Sequence, residues 1–589
     1  MTSMSPAERA RAAAFVAASG WRTMRGKLYL SPLLRWRFAG RSSDRLLLAP
    51  QDIRTSDPTI GNDIYGGRFC LAGQVGVTEG TSIFTISPPS PDWHRALLSF
   101  GWLRHLRATN SAIARSQARA LIDDWIATEG RWRATSYVPD VTARRIIAWL
   151  SHSPLILDGA NRAYYRRFVK SLNRQVRYLT KAAGAAPDGQ ARLTCVIALN
   201  YAGLCVAGYG RLQRRAARML DDELSRQILP DGGHVSRNPG VIVDLLLDLL
   251  PLRQTFTARD IPPPASLLNA IDRMMPMIRF FRHGDGAFAL FNGMGASRAD
   301  SIATVLAYDD TFGKPIDNAT HAGYQRAVAG STVLLMDTGV PPPVGMSGEA
   351  HAGCLSFELS SGRHRLIVNC GKPDAAGRAW RKAARTTAAH STATIDDTSS
   401  CRFLQGNWAT RLAGGAILSG PSAIEIQRSE GPDGIAIDAT HDGYRRRFKL
   451  IHRRKLLLHV SGAELSGEDH FEASSGGAGD NAPYAIRFHL HPDIEASLVE
   501  NGQAVLLLMP SHETWAMAIE GAQATLEESV YLPDLDGPRR TSQIVIYGRA
   551  GHQPRVAWTF QRVRAAKPLD PYDEDRQMIS EGAAQDGGQ

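Results

Sequence analysis

Asp231-Gly-Gly-His234-Val-Ser-Arg237-Asn238-Pro239 gathers an imidazole, a guanidinium and an amide into nine residues. An imidazole moves protons near neutral pH. A guanidinium grips a planar oxyanion through two parallel donors, and an amide can neutralise a neighbouring charge by hydrogen bonding. The flanking segments are strongly helical, so the cluster sits on a loop, where scaffolds place chemistry. A turn that closes one helix and starts the next, with Asn238 as N-cap ahead of Pro239, explains the same string equally well. More histidines follow downstream, at His351 and His390 and then at His489 and His491. The last two flank Leu490 on one strand and share a face; no catalysis is assigned to them.

Helices must hold the first cluster. From about residue 91 to 282 the apolar residues recur three and four apart, as in Trp93-His-Arg-Ala-Leu-Leu-Ser-Phe-Gly-Trp102-Leu-Arg-His-Leu106. Similar segments follow over 111–129, 141–151, 161–182, 191–207, 212–228, 241–254 and 264–281, joined by short Pro/Gly turns. After Gly323 the helical period disappears. Short β-branched or alternating runs take over at 324–337, 354–360, 364–369, 392–396, 434–438, 448–460, 484–491, 503–509 and 543–548. These patterns predict a multidomain chain, α then β: hairpin-linked helices in a bundle, solenoid or toroid over 91–318, then an antiparallel β-sandwich over 319–565. Residues 1–90 read as a helical start followed by short strands (Tyr29, 83–86), and 566–589 as a disordered tail.

The bulk properties are permissive. A chain of 589 residues exceeds one core, and its 43% hydrophobic and 21% charged content is that of a soluble globular protein. The most apolar run, Val241 to Leu250, carries Asp244 and Asp248, and no membrane span is expected. The stretch Ala12 to Ala18 behind Arg9 and Arg11 lacks the long leucine-rich core of a signal peptide. Six cysteines without metal spacing read as reduced core residues, so the cytoplasm is expected over the periplasm. The net charge of +11 is dispersed and no nucleic-acid motif accompanies it, so no nucleic acid is expected; a polyanionic sugar suits the field equally well.

Several strings carry a family resemblance. His351-Ala-Gly-Cys-Leu-Ser-Phe-Glu358, Arg365-Leu-Ile-Val-Asn369-Cys-Gly371, Arg385-Thr-Thr-Ala-Ala-His390-Ser-Thr and Phe488-His489-Leu-His491-Pro492 resemble the sandwich domain of heparinase II/III-like polysaccharide lyases. Asp231-Gly-Gly-His234 resembles the turn closing their α/α-toroid. The resemblance implies an N-terminal incomplete α/α-toroid of helical hairpins, followed by a C-terminal antiparallel β-sandwich. It also implies β-elimination on an anionic, uronate-containing polysaccharide. Such a reaction needs a neutraliser for the uronate carboxylate, a Tyr or His base for the C5 proton, and an acid for the leaving oxygen.

Carried over by position, the resemblance is uneven. The family's sandwich His-x-His pair falls on Glu349 and His351, the Asp after it on Gly353, the metal Asp on Asn369 and the last His on His390. The Tyr that follows the Asp-Gly-Gly turn falls on Val241. The toroid Asn-His pair falls near Thr194-Cys195, with Asn200-Tyr201 as a substitute in a shifted helix. Candidate catalytic residues are therefore His234, Arg237, Asn238 and His351; candidate substrate contacts are Asn200, Tyr201 and Glu349. Each has a plainer reading. His234 bonds its own turn; Arg237 pairs with Asp231; Asn238 caps a helix; Tyr201 is core; Glu349 is a solvated loop carboxylate. His351, Asn369 and His390 could hold a structural divalent metal, zinc or calcium, or the two histidines could simply bond to each other. Two functions stand: a lyase on an anionic polysaccharide, and a catalytically degenerate relative that binds an anionic glycan or an envelope precursor.

Overall fold

The computed structural model describes residues 5–31, 43, 45–128, 136–309, 315–373, 377–474, 480–534 and 537–565. The expected tail, 566–589, lies outside the described residues. The first half is helical: α1 (Pro6–Leu30), α2 (Pro58–Tyr65), α3 (Pro91–Ser99), α4 (Leu103–Ala108), α5 (Ala112–Thr128), α6 (Pro139–Ser151), α7 (Ser153–Leu157), α8 (Arg162–Ala182), α9 (Gln190–Cys205), α10 (Gly210–Gln227), α11 (Pro239–Ala258), α12 (Ala265–Phe280) and α13 (Ala299–Leu306). The N-termini explain several starts. Ser90, Asn161 and Asn238 each accept a backbone N–H of the first turn with their side chains, and Pro91 and Pro239 open α3 and α11. Helices α9 and α11 are buried on nearly every side, whereas α8 and α10 are amphipathic. That contrast is what an inner and an outer layer of paired helices requires.

Two sequence expectations change here. The helical run from Trp93 to Leu106 is broken at Phe100, whose left-handed backbone (φ 60°) ends α3 and starts a new direction for α4. The short strands near the N-terminus are Arg68–Leu71 and Gln74–Val77, not Tyr29 or 83–86; Tyr29 lies in α1. Their hairpin packs on Trp93, whose indole N–H donates to the Phe69 carbonyl at 2.9 Å. A Cβ at Gly76 would come within 2.2 Å of that indole, so only glycine fits.

The second half is built on two large antiparallel sheets, with a small two-stranded pair (Arg402–Phe403 and Ile417–Ser419) beside them. One runs, in spatial order, Ala524–Tyr531, Arg539–Arg549, Pro483–Leu490, His364–Val368, Phe357–Ser361, Thr332–Asp337, Tyr324–Ala329 and Asn318–Ala319, with Ala393–Ile395 also paired to Pro483–Leu490. The other runs Ile424–Gly431, Gly434–His441, Leu450–His459, Glu464–Ala473, Arg555–Arg564, Thr514–Glu520, Ala504–Leu508 and Glu495–Val499. Leu450–His459 alternates buried and partly open residues along its whole length, as a sheet with one core face demands. Between the sheets Phe357 stacks on Trp558 (5.7 Å between ring centres), with Phe488 edge-on to the same indole.

Three polar ties fix the halves to each other. Arg237, in the turn before α11, reaches into the first sheet strands. Arg326 donates back to the Phe280 and Arg282 carbonyls at 2.8 and 2.9 Å. Glu358 accepts from His283, from the Leu290 N–H and from Asn369. Helix α1 adds a strap. Its first turns pack on the short sandwich helix Asn407–Ala413 and on Leu404 and Leu418, and its last turn packs on Tyr137 and Tyr178 of the toroid. Among the described residues no helix is long and apolar enough to cross a membrane.

Candidate functional site

A cleft of about 1990 Å³ opens between the helical half and the sandwich, with α1 along one side. The turn before α11 reaches it through His234, Ser236 and Asn238; the sandwich faces it with Met346, Gly348 and Glu349. The turn is built tightly. Leu229 and Gly233 pair through a 2.8 Å backbone bond, and Gly232 adopts φ +88° with its Cα pressed against the Arg273 carbonyl, where a Cβ would clash at 1.8 Å.

His234 touches the cleft but is only 1% exposed. Its Nδ1 accepts from the Ser236 N–H (3.1 Å) and faces the Ser236 hydroxyl (2.7 Å), while Nε2 meets the Gln227 amide oxygen at 3.0 Å. The backbone donor fixes Nδ1 as acceptor, so the proton sits on Nε2. Burial pushes the imidazole down to about 3, and it stays neutral. Both ring nitrogens are committed to the turn, which leaves no lone pair or proton for a ligand.

Arg237 does not pair with Asp231, and it does not face a ligand. It is buried with φ 63°, and its guanidinium donates to the carbonyls of Ala322 (2.8 Å), Gly323 (2.9 Å) and Gly339 (3.0 Å) and to Asp337 (2.5 Å). It also lies 4.6 Å above the Tyr324 ring, whose hydroxyl donates to the Arg237 carbonyl. Asp231 instead accepts from Gly233 and Ala322 backbone N–H groups. With the Val340 carbonyl (3.2 Å) as the fifth acceptor, all five guanidinium N–H groups serve the junction between halves. Asn238 caps α11, its side-chain oxygen accepting the Gly240 N–H at 2.9 Å, and its amide nitrogen lies along the cleft beside Gly293.

The remaining candidates separate. Asn200 and Tyr201 are core residues, not substrate contacts: the Asn200 amide donates to Val196 and Ala216 carbonyls, and the Tyr201 hydroxyl to the Asp248 carbonyl. Helix α9 is apolar on all sides, and its period turned both inward. Glu349 does face the cleft and keeps 67% of its side-chain surface, although cleft walls crowd around it. Burial raises its carboxyl, but Lys372 at 2.8 Å outweighs that, helped by Arg385, and holds it below the usual range. A carboxylate so stabilised is a weak base.

His351 and His390 meet directly, Nδ1 to Nε2 at 3.1 Å, both buried and both held neutral by burial. His390 Nδ1 donates to the Thr386 carbonyl, so its Nε2 accepts from His351. Asn369 is occupied by Glu358 and by the Ser391 N–H. The trio His351, Asn369 and His390 therefore does not fit a metal. Among the described residues no group of three His, Cys, Asp or Glu side chains could hold one. A Cβ at Gly353 would lie 2.7 Å from the His390 ring, so a carboxylate cannot return there without displacing that ring. His489 and His491 are mostly buried, His489 between Ser529 and the Ala388 carbonyl.

Other cleft residues gave no local signal. Arg104, His105, Asp244, Arg298 and Lys372 all line it. Arg104 and His105 read as the polar face of an amphipathic helix; only the break at Phe100 turns them inward. Val241, half-buried on the cleft floor, stands where the resemblance implied a tyrosine.

Comparison with known proteins agrees with this architecture. The model of the family described as heparinase II/III-like, C-terminal matches residues 312–559. A curated relative, FtsZ-localized protein C of Caulobacter vibrioides (strain NA1000 / CB15N), is 34% identical over 525 residues, 87% of this chain and 89% of the relative. Among solved structures, heparinase III superposes with a TM-score of 0.70 at 13% identity, covering 92% of each chain. A heparan sulfate lyase from Pedobacter heparinus superposes with a TM-score of 0.61 at 14% identity, covering 95% of this chain and 90% of that one.

Proposed function

The chain belongs to the heparinase II/III-like family, and from that premise we propose that it is a catalytically degenerate member that binds a glycan or glycan precursor in its interdomain cleft. One observation carries this reading. The cleft is open, yet the imidazoles and the guanidinium expected to do the chemistry are bonded into the fold. β-Elimination needs a base and an acid that reach the sugar. His234 has no free nitrogen, His351 is buried away from the cleft lining with its Nδ1 bonded to His390, and Val241 offers no hydroxyl.

Elimination would create an alkene conjugated to the uronate carboxylate, absorbing at about 232 nm. Intact protein is expected to give no such rise with heparan sulfate, hyaluronan, alginate or glucuronan; a rise with any of them would restore the lyase reading. Binding is tested at Gly348, where a side chain meets nothing within 4 Å but the cleft. Gly348→Trp is expected to abolish retention on whichever immobilised glycan holds the wild type. Equal retention would remove the cleft from the function. The name of the curated relative supports a place of work beside FtsZ, to be checked by imaging a tagged chain with FtsZ. Six unpaired cysteines suit a reducing compartment, the cytoplasm rather than the periplasm.

A further inference from the structure

Six Lys or Arg and six Asp or Glu side chains line the cleft, and several are already matched. Arg22 pairs with Asp188, Lys372 with Glu349, and Arg54 with Asp248. A cleft that satisfies its own charges has little field left to draw in a polyanion. One wall is different. Helix α4 brings Arg104 and His105 to the cleft side by side, opposite Thr55 and Asp57.

Arg104 donates Nε to the Thr55 carbonyl (3.0 Å) and Nη1 to the Gly101 carbonyl (2.7 Å). These bonds orient the guanidinium while leaving Nη2 without a partner among the described residues. Four charged groups surround it. Asp52 is held by His152 and Arg54, Asp300 is bonded by the Thr55 hydroxyl, Arg54 is tied to Asp248, and Arg298 stands exposed at the rim. None of the four makes an ion pair with Arg104 within 4 Å.

His105 is 8% exposed, and its Nδ1 accepts the Asp57 N–H at 3.0 Å. That bond puts the proton on Nε2, which has no partner among the described residues although the residue lines the cleft. Burial and the adjacent Arg104 push the imidazole down to about 4, so Nε2 remains a neutral donor at physiological pH. Nε2 is open to the cleft and not sealed in the core, so a ligand can complete it.

We infer that Arg104 and His105 form an oxyanion subsite at the toroid end of the cleft, which holds one phosphate or carboxylate group of the bound molecule. The inference rests on the glycan-binding reading for its place in the function. It narrows the ligand to a largely uncharged glycan carrying one anionic group, since along the rest of the cleft basic side chains do not outnumber acidic ones. Arg104 Nη2 and His105 Nε2 are both donors, and the nearby carboxylates already carry bonds, Asp57 from the Thr59 N–H and Asp300 from the Thr55 hydroxyl.

Inorganic phosphate and acetate are the probes, titrated into the full chain at constant ionic strength and followed by calorimetry and by the melting temperature. Saturable binding is expected for the wild type, weakened about tenfold in Arg104→Gln, the loss of one charge-assisted contact. In His105→Asn the amide oxygen can still accept the Asp57 N–H while the Nε2 donor is lost, and binding is expected to weaken several-fold. Phosphate favoured over acetate points to a phosphorylated ligand, the reverse to a sugar acid. Should Arg104→Gln unfold, Arg104→Lys keeps the charge but not the fork and is expected to bind measurably less. Unchanged phosphate binding in both Arg104→Lys and His105→Asn means an adventitious ion only, and overturns the subsite. Gly348→Trp is expected to keep phosphate binding while losing glycan, so failure of the subsite and failure of the glycan reading are distinguishable.

Discussion

Arg237 shows how a residue with the right chemistry for a site becomes part of the frame. Its fork matches a carboxylate, and the carboxylate it found is Asp337, one hundred positions away on a sheet strand. Asn292 donates to the same acid, and Gly339 approaches so closely that a Cβ would lie 2.4 Å from the guanidinium carbon. Removing one partner of a buried pair leaves the other charged and desolvated. Arg237→Ala is therefore expected to cost about 3–5 kcal/mol, read as a lowered urea midpoint. Asp337→Ala should cost a similar amount, and the double variant much less than the sum. Additive losses would mean that the two residues stabilise the fold separately. The sequence showed His234, Arg237 and Asn238 as a polar cluster and Asn238 before Pro239, because those features are local. It could not show that Ala322, Gly323 and Asp337 would close over the arginine, since that depends on where the sandwich docks.

At the level of elements, periodicity carried furthest where one face is buried. The helices over 111–129 and 161–182 were legible from apolar spacing, and so was the alternating strand at 448–460. Ile424–Gly431 and Ala524–Tyr531 are sheet edges rich in charge and were not legible, since an edge strand need not be apolar. Helix α1 was expected as a helix, but not as a strap about 37 Å long between the halves. Its anchor is Glu8, which closes a capping box on Ser5 and also accepts from Ser419 and Arg402 of the sandwich. The side chain is 5% exposed yet stands at the molecular rim, with little protein behind it. Burial raises its carboxyl, but these bonds outweigh that and hold it at about 2, so it stabilises the strap above its ordinary value and releases it as pH falls towards 2. Glu8→Ala is expected to cost about 1–2 kcal/mol and to raise amide hydrogen exchange in the first half of α1 while the sandwich strands stay protected. Exchange unchanged in α1 would show that its apolar packing on Leu404 and Leu418 suffices.

Across the whole molecule, eight buried histidines are shifted the same way. His105, His390 and His491 are held down at about 4, and His234 and His489 at about 3. His351, His441 and His452 are lowered as well. Burial is the first cause in every case, and in His351 and His441 a second imidazole adds to it. Each of these groups is neutral in the folded chain and free to protonate near 6.5 once unfolded. The unfolded chain therefore binds more protons below that value. Their contribution is fully present above about pH 6.5 and is lost progressively as pH falls towards 4. Every residue still neutral in the fold adds about 1.4 kcal/mol of slope per pH unit, and several acting together make the slope steep. Carboxylates such as Asp469, held far below their ordinary value chiefly by Arg454 against the cost of burial, protonate only at much lower pH and do not set this limb. The melting temperature is thus expected to hold near neutrality and to drop sharply between pH 6.5 and 5. A flat profile down to pH 5 would mean that the imidazoles are already charged in the fold. His234 would then be cationic in its turn, and proton transfer at the cleft would again be open to it.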